Sequence, residues 1–272
     1  MNSPGAGRSA GGRRAAAALG AVAGAFRFLT IFPVGKGGRE AGTAGVIKAF
    51  PAVGAAQGLL AVAVAWAAGG AFSHGPAAAL VLMALAVSNG GFHLDGLSDT
   101  VDGLAKRGTL KEKLAAMKDG RAGAAGAGAV AFSILIKYSA LDALWQGPHY
   151  LPALFLLPVF SKWTMAAAMY SGRGAREEGL GRAFTEATGF PEVLAVFVAA
   201  LVLSAAASFV TNLPFLFPLL ALAGLFVLGA LMADFFRRRL GGLTGDTIGA
   251  SSEAGEIFFL LAALAWQRQF IS

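Results

Sequence analysis

Residues 76–103, PAAALVLMALAVSNGGFHLDGLSDTVDG, decide the fold. The first part is an apolar run of about twenty residues, enough to carry a helix across a bilayer. The second part places Asp95, Asp99 and Asp102 at i, i+4 and i+7. At ~100° per residue, these offsets bring all three carboxylates onto one helical face. An acidic face at a bilayer edge is costly unless a cation binds it. Oxygen-only donors suit a hard ion such as Mg2+.

The rest of the chain agrees with a membrane setting. Of 272 residues, 56% are hydrophobic and only 14% charged, whereas a soluble domain carries about 25% charged residues. Alternating strand-length segments are absent, so an all-α, polytopic helical bundle is expected rather than a barrel. The 38 glycines suit close helix packing. With no cysteine in the chain, disulfides, thiolate metal sites and thiol nucleophiles are excluded. The net charge of +7 is dispersed among loops. It therefore reads as membrane topology and not as a nucleic-acid surface.

Residues 1–14 read as a disordered basic leader, and 15–272 as one membrane-embedded domain. The segment 15–33 reads as an interfacial or re-entrant helix that ends at Pro33. Hydropathy then predicts seven spans, at 46–70, 76–95, 122–145, 150–170, 191–211, 213–233 and 256–271. Pro214 is expected to open the sixth.

Loop charge supports that count. The loops 34–48, 96–121, 171–190 and 234–255 hold Lys36, Arg39, Lys48, Lys106, Lys118, Arg121, Arg176 and Arg237 among other bases. The loops near 71–75, 146–149 and 211–213 hold no Lys or Arg. Such alternation places the charged loops, with the aspartate motif, on the cytoplasmic side.

Three constellations carry the chemistry. The first is Asp95, Asp99 and Asp102, with Asp119 following as a further metal-ligand candidate. His93 lies about 160° from Asp95 around an ideal helix, so a structural role is expected for it. The second is cationic: Lys118, Arg121 and Arg176 are suited to holding a diphosphate while charge builds on a leaving group. The third is Asp246 with Glu253 and Glu256, a second acidic patch for a metal or a substrate ribose. Lys162 lies inside an apolar span and is a functional candidate by position. Lys137 and Asp142 are expected to do no more than pair with each other.

The run Phe92-His93-Leu94-Asp95-Gly96-Leu97-Ser98-Asp99-Thr100-Val101-Asp102-Gly103 resembles the signature of the cobalamin 5'-phosphate synthase family, also called adenosylcobinamide-GDP ribazoletransferases. The resemblance continues in order. It takes in Phe28-Leu29-Thr30-Ile31-Phe32-Pro33, Met117-Lys118-Asp119-Gly120-Arg121 and Ala175-Arg176-Glu177-Glu178-Gly179-Leu180-Gly181. It ends with Leu243-Thr244-Gly245-Asp246-Thr247-Ile248-Gly249-Ala250 and Glu253-Ala254-Gly255-Glu256. The long leader departs from the family, as does Gly120, where the family usually has serine.

The resemblance implies a Mg2+-dependent transferase of the bacterial inner membrane, with its active site facing the cytoplasm. It would join adenosylcobinamide-GDP to alpha-ribazole or alpha-ribazole 5'-phosphate and release GMP, the nucleotide-loop assembly step of cobalamin (vitamin B12) biosynthesis. Asp95, Asp99, Asp102 and Asp119 would hold the metal. Lys118, Arg121, Arg176, Lys162, Glu253 and Glu256 would bind substrate. Either Asp102 or Asp246 would deprotonate the attacking hydroxyl. The lipid bilayer is the expected surrounding, and a homo-oligomer is left open. The rival readings are a CDP-alcohol phosphatidyltransferase, a membrane prenyltransferase or, less favoured, a cation-coupled transporter.

Overall fold

The computed structural model describes residues 10–34, 42–145 and 147–270. Residues 1–9 of the basic leader, and Lys36 and Arg39, lie outside them. Among the described residues there are twelve helices and no strand. They are α1 (Ala10–Leu29), α2 (Thr43–Lys48), α3 (Phe50–Gly69), α4 (His74–Ser88), α5 (Phe92–Ala105) and α6 (Leu110–Ala116). There follow α7 (Ala124–Leu144), α8 (Tyr150–Ser171), α9 (Leu180–Ala187), α10 (Phe190–Thr211), α11 (Leu216–Leu240) and α12 (Gly245–Phe270).

The long helices are apolar all round, the pattern of membrane spans and not of surface helices. α8 is buried along almost its whole length, with α3, α10, α11 and α12 packed around it. By contrast, α10 and α11 present Val202, Phe209 and Leu231 outward, as helices solvated by lipid do. Six segments are long and apolar enough to cross a membrane, and α4 with α5 would make a seventh, broken one. The protein is thus an all-α, multi-pass membrane bundle.

Four sequence expectations change. Residues 10–14 of the expected disordered leader are helical and form the start of α1. The span 76–95 is not straight: the chain turns by 85° between α4 and α5. Gly90 and Gly91 take left-handed conformations there, and the Asn89 side chain accepts from the Gly91 N–H. The aspartates therefore ride a separate helix, bent away from α4 and packed against α7 and α12. The last span begins at Gly245 rather than at 256, because Thr244 and Thr247 exchange cap hydrogen bonds and start the helix early. Finally, α11 starts at Leu216, after Asn212 turns the chain with φ 55°, so Pro214 lies in the turn and does not open the helix.

The expected loops 96–121 and 171–190 are themselves partly helical. They hold most of α5 with α6, and α9. α6 is started by a capping box between Thr109 and Glu112. All this material gathers at one end of the bundle. That end also holds the N-termini of α3, α7, α10 and α12 and the C-termini of α8 and α11. A Lys48–Glu192 ion pair joins α2 to α10 there, at 2.9 Å.

Candidate active site at the helix ends

Each side of α5 has a distinct job. Gly96 faces α12 so closely that a Cβ would stand 2.7 Å from the Asp246 carbonyl oxygen. Only glycine admits that approach, which sets Asp246 beside the aspartate helix. His93 points backward and is fully buried, with Nδ1 3.1 Å from Ser252 Oγ on α12. The structural role expected for His93 thus has a partner. On the other flank, Ser98 and Asp102 meet the start of α7.

Asp102 does something the sequence reading did not anticipate. Its Oδ2 accepts the Gly123 N–H at 2.7 Å and its Oδ1 accepts the Gly126 N–H at 2.9 Å. Both oxygens thereby cap the N-terminus of α7, whose unpaired N–H groups and dipole favour an anion. Asp95 and Asp99 have no such partners. Asp95 is exposed and Asp99 half-buried. Burial, then the like charges of Asp95, Asp246 and Asp102, raise the Asp99 pKa from 3.8 to about 6. A carboxylate held in that way favours a proton or a cation beside it.

The opposite wall is built from backbone. The Leu243 N–H donates to the Arg173 carbonyl at 2.7 Å, and the Ala175 N–H donates to the Leu243 carbonyl at 2.9 Å. This bridge ties the segment after α8 to the turn before α12. Gly242, at φ 154°, permits it, since a Cβ would meet the Arg173 carbonyl at 2.4 Å. Arg176 is carried into place by the bridge and donates from Nη2 to the Leu114 carbonyl at 3.1 Å. Asp246 feels the opposite charges of Arg176 and Lys118 and the like charge of Asp95. Thr244 Oγ1 donates to its Oδ2 at 3.2 Å.

Two expected site residues stand apart. Asp119 and Arg121 pair with each other, Nη2 to Oδ2 at 2.9 Å, while both remain largely exposed. The Arg121 hydrogen bond holds the Asp119 carboxyl below its usual range.

Glu253 and Glu256 also separate from Asp246. They lie seven and ten residues along α12, about 10 and 15 Å deeper at 1.5 Å per residue. There Lys137 Nζ donates to Glu253 Oε2 at 2.7 Å and to Glu256 Oε2 at 2.8 Å. Ser133 Oγ donates to Glu253 at 2.8 Å. Lys162 is fully buried nearby, its Nζ 3.3 Å from Ser161 Oγ, and Ser161 meets Ser252 at 2.9 Å. Lys137 thus pairs across helices and not with Asp142. Counting depth would have found this: Lys137 and Glu256 lie about 20 and 16 Å from the same bundle end, and intramembrane charges pair.

His93, Glu253 and Glu256 form the one trio of possible ligand atoms within 4.8 Å of one another among the described residues. Lys137 already answers both glutamates, so this trio is charge-compensated. Asp95, Asp99 and Asp102 are not gathered that tightly. The same holds for Asp95, Asp99 and Asp246, so neither trio forms a ready-made three-carboxylate cage.

Fold and site together define a multi-pass helical membrane protein with an open carboxylate site, flanked by bases, where its helices end. The chain belongs to the cobalamin-5-phosphate synthase family, whose model matches residues 21–264. It is similar to a protein named adenosylcobinamide-GDP ribazoletransferase from Thermodesulfovibrio yellowstonii, 33% identical over 257 residues that cover 91% of this chain and 97% of that one. Proteins of the same name from Roseiflexus sp. and Escherichia coli O17:K52:H18 are 35% and 37% identical, over 87% and 80% of this chain and 86% and 87% of their own lengths. No solved structure matches the chain.

Proposed function

We propose that this protein is a bacterial inner-membrane adenosylcobinamide-GDP ribazoletransferase with its active site on the cytoplasmic side. It joins adenosylcobinamide-GDP to alpha-ribazole or its 5'-phosphate and releases GMP. One observation carries this beyond family membership: Asp95, Asp99 and Asp246 lie close enough to feel one another's charge, and Asp246 also feels Lys118 and Arg176, at the bundle end that gathers the Lys- and Arg-rich segments. Mixed carboxylates and bases at an open, polar site suit a metal-bound diphosphate better than a lipid or a lone cation.

The donor set fits Mg2+, which takes oxygen ligands and is usually held by one or two carboxylates plus substrate phosphates. Asp95 and Asp99 would hold it, since their oxygens are uncommitted, and bound Mg2+ would neutralise charge on the diphosphate. Lys118 and Arg176 bind the phosphoryl oxygens. Asp246 takes the proton from the attacking ribose hydroxyl. The new bond forms between that oxygen and the phosphorus on the cobinamide arm. The bond from this phosphorus to the bridging oxygen breaks, and GMP leaves with that oxygen. Asp102, with both oxygens on α7, is a positioning residue that sets the angle between α5 and α7. Glu253, Glu256 and Lys162 lie too deep for the phosphates.

The test is GMP release by purified protein in liposomes given adenosylcobinamide-GDP, alpha-ribazole and Mg2+. Release that needs all three supports the reading. No release above background by folded protein, or metal-dependent cation flux in its place, would sink it.

A further inference from the structure

A cavity of about 370 Å³ opens between α4 and α7 and runs toward α12. Its walls include Met83 and Ala86 of α4, Leu94 of α5 and Ile134 and Leu135 of α7. Met83, Ile134 and Leu135 are exposed on spanning helices, so the cavity opens sideways toward lipid. Its polar floor is Lys137, Glu253 and Glu256. On α4 the lining reaches from Asn89, at the aspartate end, to Ala79, about 15 Å deeper at 1.5 Å per residue. Leu94 also lines a second, shallower cavity that contains Asp95 and Ser98. The two cavities share a wall one residue from the aspartate face.

Lys137 spends two of its three N–H donors on Glu253 and Glu256, and an acyl chain would leave the third without an acceptor, a costly match in hydrocarbon. A solute with an apolar body and hydrogen-bonding groups satisfies both. The size falls in the usual range for small-molecule sites, which are mostly apolar with a few fixed polar groups.

Resting on the transferase reading above, we propose that this cavity binds the base of the acceptor nucleoside. Alpha-ribazole carries an uncharged, flat, dimethylated bicyclic aromatic base. The base lies between α4 and α7, with its ring nitrogen toward the ionic floor. The ribose rises past Leu94 and presents its hydroxyl to the aspartate end, where Asp246 takes the proton. The nucleotide donor stays outside the cavity, on Lys118 and Arg176. The two substrates thus meet from different sides of α5, one through the membrane face and one from water.

Ala86→Phe fills the cavity from a half-buried helix position that touches neither the aspartates nor the ionic floor. Ala79→Phe does the same from the deep end, where the residue is exposed. Each variant should raise the KM for alpha-ribazole about tenfold or more, the usual effect of crowding an apolar pocket, and leave the KM for adenosylcobinamide-GDP unchanged. Equilibrium binding of alpha-ribazole to the protein in liposomes, followed by the fluorescence of its base, should weaken by the same factor. Unchanged acceptor KM and binding in both variants, or equal rises for both substrates, would overturn the proposal and leave the cavity to lipid. Failure of the transferase reading shows separately, as wild-type protein that releases no GMP, and the binding measurement still decides the cavity.

Discussion

Two groups of acidic residues, one where α5 meets the start of α12 and one further along α12, are treated in opposite ways. At the bundle end, Asp95, Asp99 and Asp246 crowd together without an ion pair, and Asp99 is pushed up to about 6. Deeper in the membrane, Glu253 and Glu256 share the Lys137 ammonium at 2.7 and 2.8 Å, buried from solvent. The first group has the charges of Arg176 and Lys118 near it but no ion pair. The second is neutralised in place and fastens α7 to α12.

The contrast breaks first at the aspartates. Asp95→Asn and Asp99→Asn should each lower GMP release about 10³-fold, about 4 kcal/mol of barrier at 1.36 kcal/mol per decade. Insertion and thermal stability in detergent should stay near wild type. Activity within tenfold of wild type in either variant would remove that residue from the metal group.

The ionic cluster should respond in stability before chemistry. Lys137→Met leaves two buried carboxylates without their cation, a change that costs about 3–5 kcal/mol when one partner of a buried pair is lost. Thermal unfolding in detergent should show it as a large drop in midpoint. Adding Glu253→Gln and Glu256→Gln to that variant should recover much of the loss. A single variant as stable as wild type would show that the cluster is not what fastens α7 to α12.

A pH series sharpens the same comparison. Asp99 is raised to about 6 from 3.8, so between those values the folded protein holds a proton that the unfolded chain releases. Metal-free stability should therefore fall as pH rises through that window. Mg2+ competes with the proton, so its half-saturating concentration should rise as pH drops below 6, about tenfold per unit at the steepest. A requirement flat from pH 5 to 7 would mean that Asp99 does not touch the metal.

The smallest of these effects is expected at Asp102. Asp102→Asn keeps one carbonyl acceptor for the α7 N-terminus and loses the charge, at a cost of about 1–2 kcal/mol as for other caps. Activity should fall modestly and in step with stability. A loss as large as that of Asp95→Asn would return Asp102 to the chemistry.

Much of this was legible in the chain. Apolar runs gave the bundle, loop charge gave the common end, and the i, i+4, i+7 spacing gave the aspartate face. What escaped depends on tertiary placement. The break at Asn89-Gly90-Gly91 hides in a hydropathy window, because two glycines and an asparagine barely lower the average over twenty residues. The role of Asp102 depends on where α7 starts, twenty-one residues later. Glu253 and Glu256 share a helix with Asp246, yet the axial rise carries them out of its reach. Lys137 seemed a bystander because its partners lie over a hundred positions away.

Binding of Mn2+, a paramagnetic stand-in for Mg2+, tests most directly which acidic group takes the metal. Electron paramagnetic resonance of purified protein in liposomes should show bound Mn2+ for wild type and for Glu256→Gln. It should show sharply weaker binding for Asp95→Asn and Asp99→Asn. Binding that survives both aspartate changes and disappears with Glu256→Gln would place the metal in the buried cluster and contradict the account.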